Sequence, residues 1–138
     1  MKVFYDSNVV LDVLLNRAEF VQDSLSALKY SENRIVKGFI SVVSITDIFY
    51  LVNRNLKDSS LSIEKIKILL NIVRIAKADK KTVQNAIKSG WKDFEDAVQY
   101  SVAKKIRASC IVTRNKKDFA QSDIPVYTPS EFILLIKQ

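Results

Sequence analysis

The segment KVFYDSNVVLDVLLNR, Lys2 to Arg17, changes its hydrophobic period partway along. Lys2 to Tyr5 is a short apolar run of strand type that stops at Asp6, after which Val9, Val10, Val13 and Leu14 recur at helical spacing. A strand that passes into a helix at a single residue opens a strand–helix–strand unit, and Asp6 or Ser7 is placed to cap the helix. The same alternation continues along the chain. A second amphipathic helix is expected from about Glu19 to Ser31, a strand in RIVKGFISVV ending near Ser41, and a helix in SITDIFYLVNRNL with Ser44 as its cap. Ser62 to Ile72 reads as helix, VRIAKA as a short strand, and DKKTVQNAIKS as helix stopped by Gly90. KDFEDAVQYSVAKKIRA is helical, SCIVT is a β-branched strand, and NKKDF is a turn. IPVYT is an edge strand led by its proline, and PSEFILLIKQ is a last helix with Pro129 in the first turn.

Strands alternating with helices across short loops predict an α/β fold, a mostly parallel central sheet of about five strands flanked by helices on both faces. At 138 residues the chain suits one domain spanning 1–138, and two glycines and two prolines leave little material for linkers. No apolar run approaches the roughly 18 residues of a membrane span, so no membrane association and a cytoplasmic location are expected. Cys110, the one cysteine, lies inside SCIVT and reads as a small core residue in a reducing compartment.

Twenty-two basic against fifteen acidic residues give a net charge of +7, which favours a polyanionic partner. The absence of any histidine excludes more. It removes the Ser-His-Asp triad, the Cys-His dyad, histidine acid–base cleavage of phosphodiesters, and zinc sites that need imidazole. Hydrolysis by this chain is left with carboxylates and a hard cation such as Mg²⁺ or Mn²⁺.

The acids are distributed accordingly. Asp6 follows the first strand, Asp47 lies one turn into the helix after the second, and Asp118 lies in the turn after SCIVT. All three therefore fall toward the carboxyl edge of the sheet, where ligands of such folds collect. WKDFEDAVQY adds Asp93, Glu95 and Asp96. At a spacing of three, Asp93 and Asp96 are side by side on a helix while Glu95 points elsewhere as a solvated helix-start charge. Phe94, Ala97, Val98, Ser101 and Val102 are the face expected to pack on the sheet, which leaves Asp96 at the border of core and cleft.

Four blocks carry a resemblance in a fixed order. YDSNVVLDVLLNR resembles the opening D-x-N-x-x-x-D block of PIN-domain nucleases, SVVSITDIFYLV their second helix, DFEDAVQYSVA their third acidic block, and IVTRNKKDF their fourth. IPVYTPSEFI is similar to the family's last strand and helix, so the resemblance covers essentially the whole chain. It is nearest to the prokaryotic branch that includes VapC-like toxins of toxin–antitoxin pairs.

The resemblance implies a ribonuclease with catalytic acids Asp6, Asp47, Asp96 and Asp118. Asp6 and Asp96 anchor a principal Mg²⁺ or Mn²⁺ ion, and Asp47 with Asp93 or Asp118 completes the shell or holds a second ion. Asn8, Ser44, Thr113 and Asn115 are supporting residues, with Asp118 or Asn115 as the fourth position. The second acid is commonly glutamate in the family and is Asp47 here, one methylene shorter; Asn115 stands where many relatives have aspartate. Those departures motivate an alternative, a catalytically weakened RNA-binding or protein-interaction module. A phosphoacceptor receiver domain lacks support, because no acidic pair precedes the first helix.

Arg17, Lys92, Arg114, Lys116 and Lys117 are the candidate contacts to the RNA backbone, with Arg114, directly after the strand end at Thr113, the foremost. Among the aromatic residues only Trp91 is a candidate for stacking on a base; Tyr5, Phe49, Tyr50 and Phe94 read as core. The resemblance further implies a small antitoxin partner and a homodimer, for which Ile48, Leu51, Val52 and the helix from Ser62 offer apolar surface.

Overall fold

The computed structural model describes residues 1–138. Five strands, β1 (Lys2–Tyr5), β2 (Lys37–Ser41), β3 (Arg74–Ala76), β4 (Cys110–Val112) and β5 (Val126–Tyr127), form one all-parallel sheet in the order β3-β2-β1-β4-β5. Seven helices surround it: α1 (Ser7–Leu14), α2 (Val21–Glu32), α3 (Ile45–Leu56), α4 (Ser59–Ile72), α5 (Lys80–Lys88), α6 (Phe94–Lys105) and α7 (Pro129–Lys137). Two 3₁₀ turns, Val42–Ser44 and Lys116–Phe119, follow β2 and β4. No helix is long and apolar enough to cross a membrane.

Alternation along the strands divides the core between two faces. Val3 and Tyr5 of β1 and Cys110 and Val112 of β4 pack with α1 to α4 and α7 in one cluster, while Phe4 and Ile111 face the cluster built on α5 and α6. Helices thus cover both sides of the sheet, as the strand–helix alternation predicts. Winding proceeds outward through β2 and β3 on one side of β1 and through β4 and β5 on the other, so the direction reverses between β1 and β4. In open parallel sheets that reversal leaves a crevice beyond the carboxyl ends of the two strands.

Several ends differ from the sequence reading for local reasons. Asp6 occupies the N-cap position of α1 with extended backbone but makes no side-chain cap bond, which leaves its carboxylate available elsewhere. Ser44 does not cap α3 either; Ser41 accepts from Val43 N and caps the preceding 3₁₀ turn instead. Helix α4 begins before Ser62 because Asp58 accepts from Leu61 N. Gly90 does follow α5 with a left-handed φ of 70°, and Pro129 stands in the first turn of α7 beside a Thr128–Glu131 capping box. Ile48 and Val52, expected at an apolar surface, are fully buried in the core with Leu51 packed against it; the exposed apolar side chains of α3 and α4 are Tyr50, Leu61, Ile63, Ile68 and Leu70.

Gly38 in β2 is a point of close approach between helix and sheet. A Cβ there would run into the Ser31 side chain of α2 and come within 2.7 Å of Tyr5 Cε2. Both neighbours are fixed, since Tyr5 OH donates to Ala27 O at 3.0 Å and Ser31 Oγ donates to Ile72 O at 2.6 Å. We expect Gly38→Ala to lower stability by about 1–3 kcal/mol through overpacking, seen as a lower urea midpoint at unchanged slope. A wild-type midpoint would contradict this packing.

Candidate active site

Asp6 and Thr113 meet at the crevice between β1 and β4. Asp6 N donates to Val112 O at 2.9 Å and Thr113 N to Tyr127 O at 2.9 Å, so each backbone is held one residue beyond its strand. Thr113 Oγ1 then donates to Asp6 Oδ2 at 2.8 Å. The direction of that bond is forced, because the same hydroxyl oxygen accepts from Asn115 N at 3.1 Å and from Asn8 Nδ2 at 3.5 Å. Asn8 is itself oriented by Arg114 N, which donates to its Oδ1 at 3.4 Å. Asn8 therefore supports Asp6 through Thr113. Ser44 is buried at the turn before α3 and makes no hydrogen bond to an acid.

Helix α6 brings the next acids. Asp93 is its N-cap, in extended conformation, and accepts from Asp96 N at 3.0 Å. It precedes the helix instead of lying beside Asp96 on one helical face. Glu95 is an exposed charge in the first turn of α6, as expected, one turn before Gln99. Burial, then Asp47, Asp93 and Asp6, push the Glu95 carboxyl above its ordinary range, so this helix-start charge also feels the acids of the crevice.

Asp96 is the most perturbed of the exposed or half-exposed acids. Burial first, then the charges of Asp93, Asp118, Asp6 and Glu95, raise it to about 7. Burial also raises Asp6, opposed by hydrogen bonds from Thr113, Gln99 and Ser7, with Asp118 adding repulsion. Asp47 is exposed in the first turn of α3, where it acts on Glu95. Asp118 sits in the 3₁₀ turn after β4 and acts on both Asp6 and Asp96. Asn115 is exposed beside it and accepts from Asp118 N through its carbonyl at 3.0 Å.

An all-oxygen donor set whose members raise one another's pKa values suits a hard divalent cation. No three of these carboxylates, however, are arranged as ligands of one ion. They share a crevice, and they are the side chains that would hold such an ion.

The predicted cationic rim divides in two. Arg114 donates from Nε to Asp12 Oδ2 at 2.7 Å, and its guanidinium lies 3.9 Å from the Phe20 ring centroid. Arg17 reaches the other oxygen of Asp12 at 3.4 Å, and Ser24 Oγ donates to Oδ2 at 2.9 Å. Arg114 and Arg17 thus stabilise a fully buried aspartate. Lys116 pairs with Glu131. Lys92 and Lys117 enter none of the protein's ion pairs and line a cleft of about 360 Å³ with Trp91, Asp93, Asp96 and Asp118. A larger cleft of about 470 Å³ between α5 and α6 includes Lys104 and Lys105, but these pair with Asp123 and Asp79.

The aromatic residues also sort differently. Trp91 stacks on Tyr100 with centroids 4.5 Å apart and meets Phe119 edge-on, which is core packing. Phe94, expected against the sheet, is 55% exposed beside the acidic group. Sequence reasoning gave no role to Asp12 or Gln99 and did not link Glu95 to the other acids. The Glu95–Gln99 spacing of four was the available signal for two of them, and the final acid of D-x-N-x-x-x-D for the other.

Two outcomes follow from this charge arrangement. Asp12→Asn should cost about 3 kcal/mol, at the low end for breaking a buried pair because both arginines can reach water; an unchanged thermal unfolding midpoint would rule out the clamp. Asp96 has its folded pKa raised from 3.8 to about 7, so the folded state binds the extra proton over that interval. Its stabilising contribution is fully present below 3.8 and is lost as pH rises through about 7. In chelator, the melting temperature of wild type should therefore fall across this window more steeply than that of Asp96→Asn. Parallel pH profiles would refute that assignment.

Residues 2–117 match the family model described as PIN domain. Ribonuclease VapC1 of Aquifex aeolicus (strain VF5) is 33% identical over 136 residues, covering 95% of this chain and 92% of that protein. Two solved structures share the fold: VapBC2 from Rickettsia felis bound to a DNA fragment from their promoter, and a toxin–antitoxin complex from Klebsiella pneumoniae. Their TM-scores are 0.67 and 0.68 at 18% and 20% identity, each over 92% of this chain and 97% of the matched chain.

Proposed function

The chain belongs to the PIN-domain family, and from that premise we propose that it is a divalent-metal-dependent endoribonuclease acting as the toxin of a toxin–antitoxin pair. The observation that carries this reading is the acidic group at the β1–β4 crevice, where Asp6, Glu95, Asp96 and Asp118 act on one another without a paired cation among them. The 33% identical relative, named as a ribonuclease, supports RNA as the substrate. The toxin–antitoxin complex from Klebsiella pneumoniae, which shares the fold, supports a small antitoxin partner. A homodimer and a cytoplasmic location belong to the same reading.

Asp6 and Asp96 would be the principal holders of Mg²⁺ or Mn²⁺, with Glu95, Asp47 and Asp118 as the further acids that would complete the shell or hold a second ion. Asp118, whose carboxylate acts on both principal acids, takes the fourth position in preference to Asn115. Asp93 serves mainly as the cap that sets the register of α6. When bound, such an ion lowers the pKa of an attacking water and offsets charge on the phosphoryl oxygens.

The chain's own groups do the remainder. Thr113 donates to Asp6 and favours its charged form despite burial. Lys92 and Lys117, free of ion pairs, draw the phosphate backbone toward the cleft. Arg17, Arg114 and Lys116 add to the positive field from within their own pairs. Phe94 offers an exposed ring for an unpaired base next to the acids.

Asp47 in place of glutamate and Asn115 in place of aspartate carry the second reading, a binding module with little turnover. One experiment separates the two. Wild type and Asp96→Asn are incubated with a panel of structured RNAs in Mg²⁺, in Mn²⁺ and in EDTA. Cleavage by wild type alone, abolished by chelator and reduced at least about a hundredfold by the substitution, is the expected result. RNA binding without cleavage under every condition would favour the module.

A further inference from the structure

Gln99 Oε1 is the one buried side-chain oxygen or nitrogen in the protein without a hydrogen-bond partner. The residue lies in the middle of α6, is 2% exposed, and sits one turn beyond Glu95 on the face that carries Asp96. Its amide nitrogen faces the Asp6 carboxylate and favours the charged form of that acid. Turning the amide over would set Oε1 against Asp6, so the orientation is fixed by repulsion. An amide oxygen buried without a donor is destabilising, and such groups are rare in folded proteins. Leu or Met at this position would pack the helix without that cost. The carboxamide is therefore explained by a donor that the protein alone does not supply.

We propose that Gln99 is a positioning residue for the acidic crevice, holding Asp6 through its amide nitrogen while Oε1 accepts a hydrogen bond from a water in the shell of the bound cation. The inference rests on the metallonuclease reading above and assigns Gln99 a place behind the ligands. With Thr113 donating to Oδ2 at 2.8 Å and Gln99 approaching from α6, Asp6 is gripped from β4 and from the helix at once. A carboxamide suits this position because it offers both a donor and an acceptor and adds no charge to a group already crowded with anions.

The test measures Mn²⁺ binding to the full chain by calorimetry without RNA, and melting temperature with Mn²⁺ and with chelator. Gln99→Met has similar volume and lacks both polar atoms. Its Mn²⁺ dissociation constant should rise about 10–100-fold, its melting temperature in chelator should not fall, and its RNA cleavage should recover as Mn²⁺ is raised. Wild-type affinity in Gln99→Met overturns the inference, as does a melting temperature in chelator lowered with affinity unchanged, which is the mark of a purely structural side chain. Gln99→Glu keeps the acceptor but sets an anion beside Asp6. It should melt below wild type in chelator and gain more from Mn²⁺ than wild type does; an equal or smaller gain overturns the proposal independently of how Gln99→Met folds. Failure of the two readings is distinguishable. If wild type neither binds Mn²⁺ nor cleaves RNA, the metallonuclease reading falls and takes this inference with it, whereas tight Mn²⁺ binding by both wild type and Gln99→Met removes the role of Gln99 alone.

Discussion

The hydrogen bond from Thr113 Oγ1 to Asp6 Oδ2 joins the ends of β1 and β4 where the winding of the sheet reverses. Burial drives this carboxylate, only 6% exposed, toward its neutral form, and the bond opposes that shift. The bond is defined because Thr113 is saturated as an acceptor by Asn115 N and Asn8 Nδ2. Three residues from two segments thus act on the state of one acid. That explains how a buried aspartate can be kept available at the crevice: the parallel pairing of β1 with β4 sets the spacing, and the hydroxyl supplies the proton.

A basic protein that carries an acidic crevice has to keep its own cations out of it. Arg114 leaves β4 directly beside Asp6 and could cross to the acids, but it is held by Asp12 and by stacking on Phe20. Arg17 is held by the same aspartate. Asp12 therefore acts as a structural counter-charge that leaves the negative field of Asp6, Glu95 and Asp96 intact for an external cation. The net charge of +7 is carried on the remaining surface, where Lys92 and Lys117 border the cleft without closing it.

The strand–helix alternation was legible because each strand is a short apolar run ended by a polar residue and each helix has a recurrent apolar face. Asp6 and Asp96 were legible as members of the acidic crevice for a related reason: one ends a strand, and the other interrupts an apolar helical face. What depends on a single residue of register was not legible. Placing the first turn of α6 at Phe94 makes Asp93 a cap, sets Glu95 where it feels the acids and leaves Phe94 in solvent. One position rotates a helical side chain by about 100°, so an uncertain helix start exchanges a core residue for a site residue. For Arg114 the hidden feature was its partner. Its position after β4 is local information, but its partner Asp12 lies 102 residues earlier and becomes a neighbour only when the sheet forms.

Apolar packing accounts for the remaining distance in the site, between α6 and the 3₁₀ turn that carries Asp118. Trp91, just before α6, lies between Tyr100 on that helix and Phe119 at the end of the turn. The ring stack at 4.5 Å fixes the approach to Asp93, and the edge contact ties it to the residue after Asp118. Asp96 and Asp118 repel each other and would separate if either segment were free, since no protein cation bridges them. The aromatic contact opposes that separation with interactions of about 0.5–1.5 kcal/mol per ring pair beyond area burial. Trp91 thus serves the site by holding two like charges near each other, a role for which a large rigid ring is suited and a flexible side chain is not.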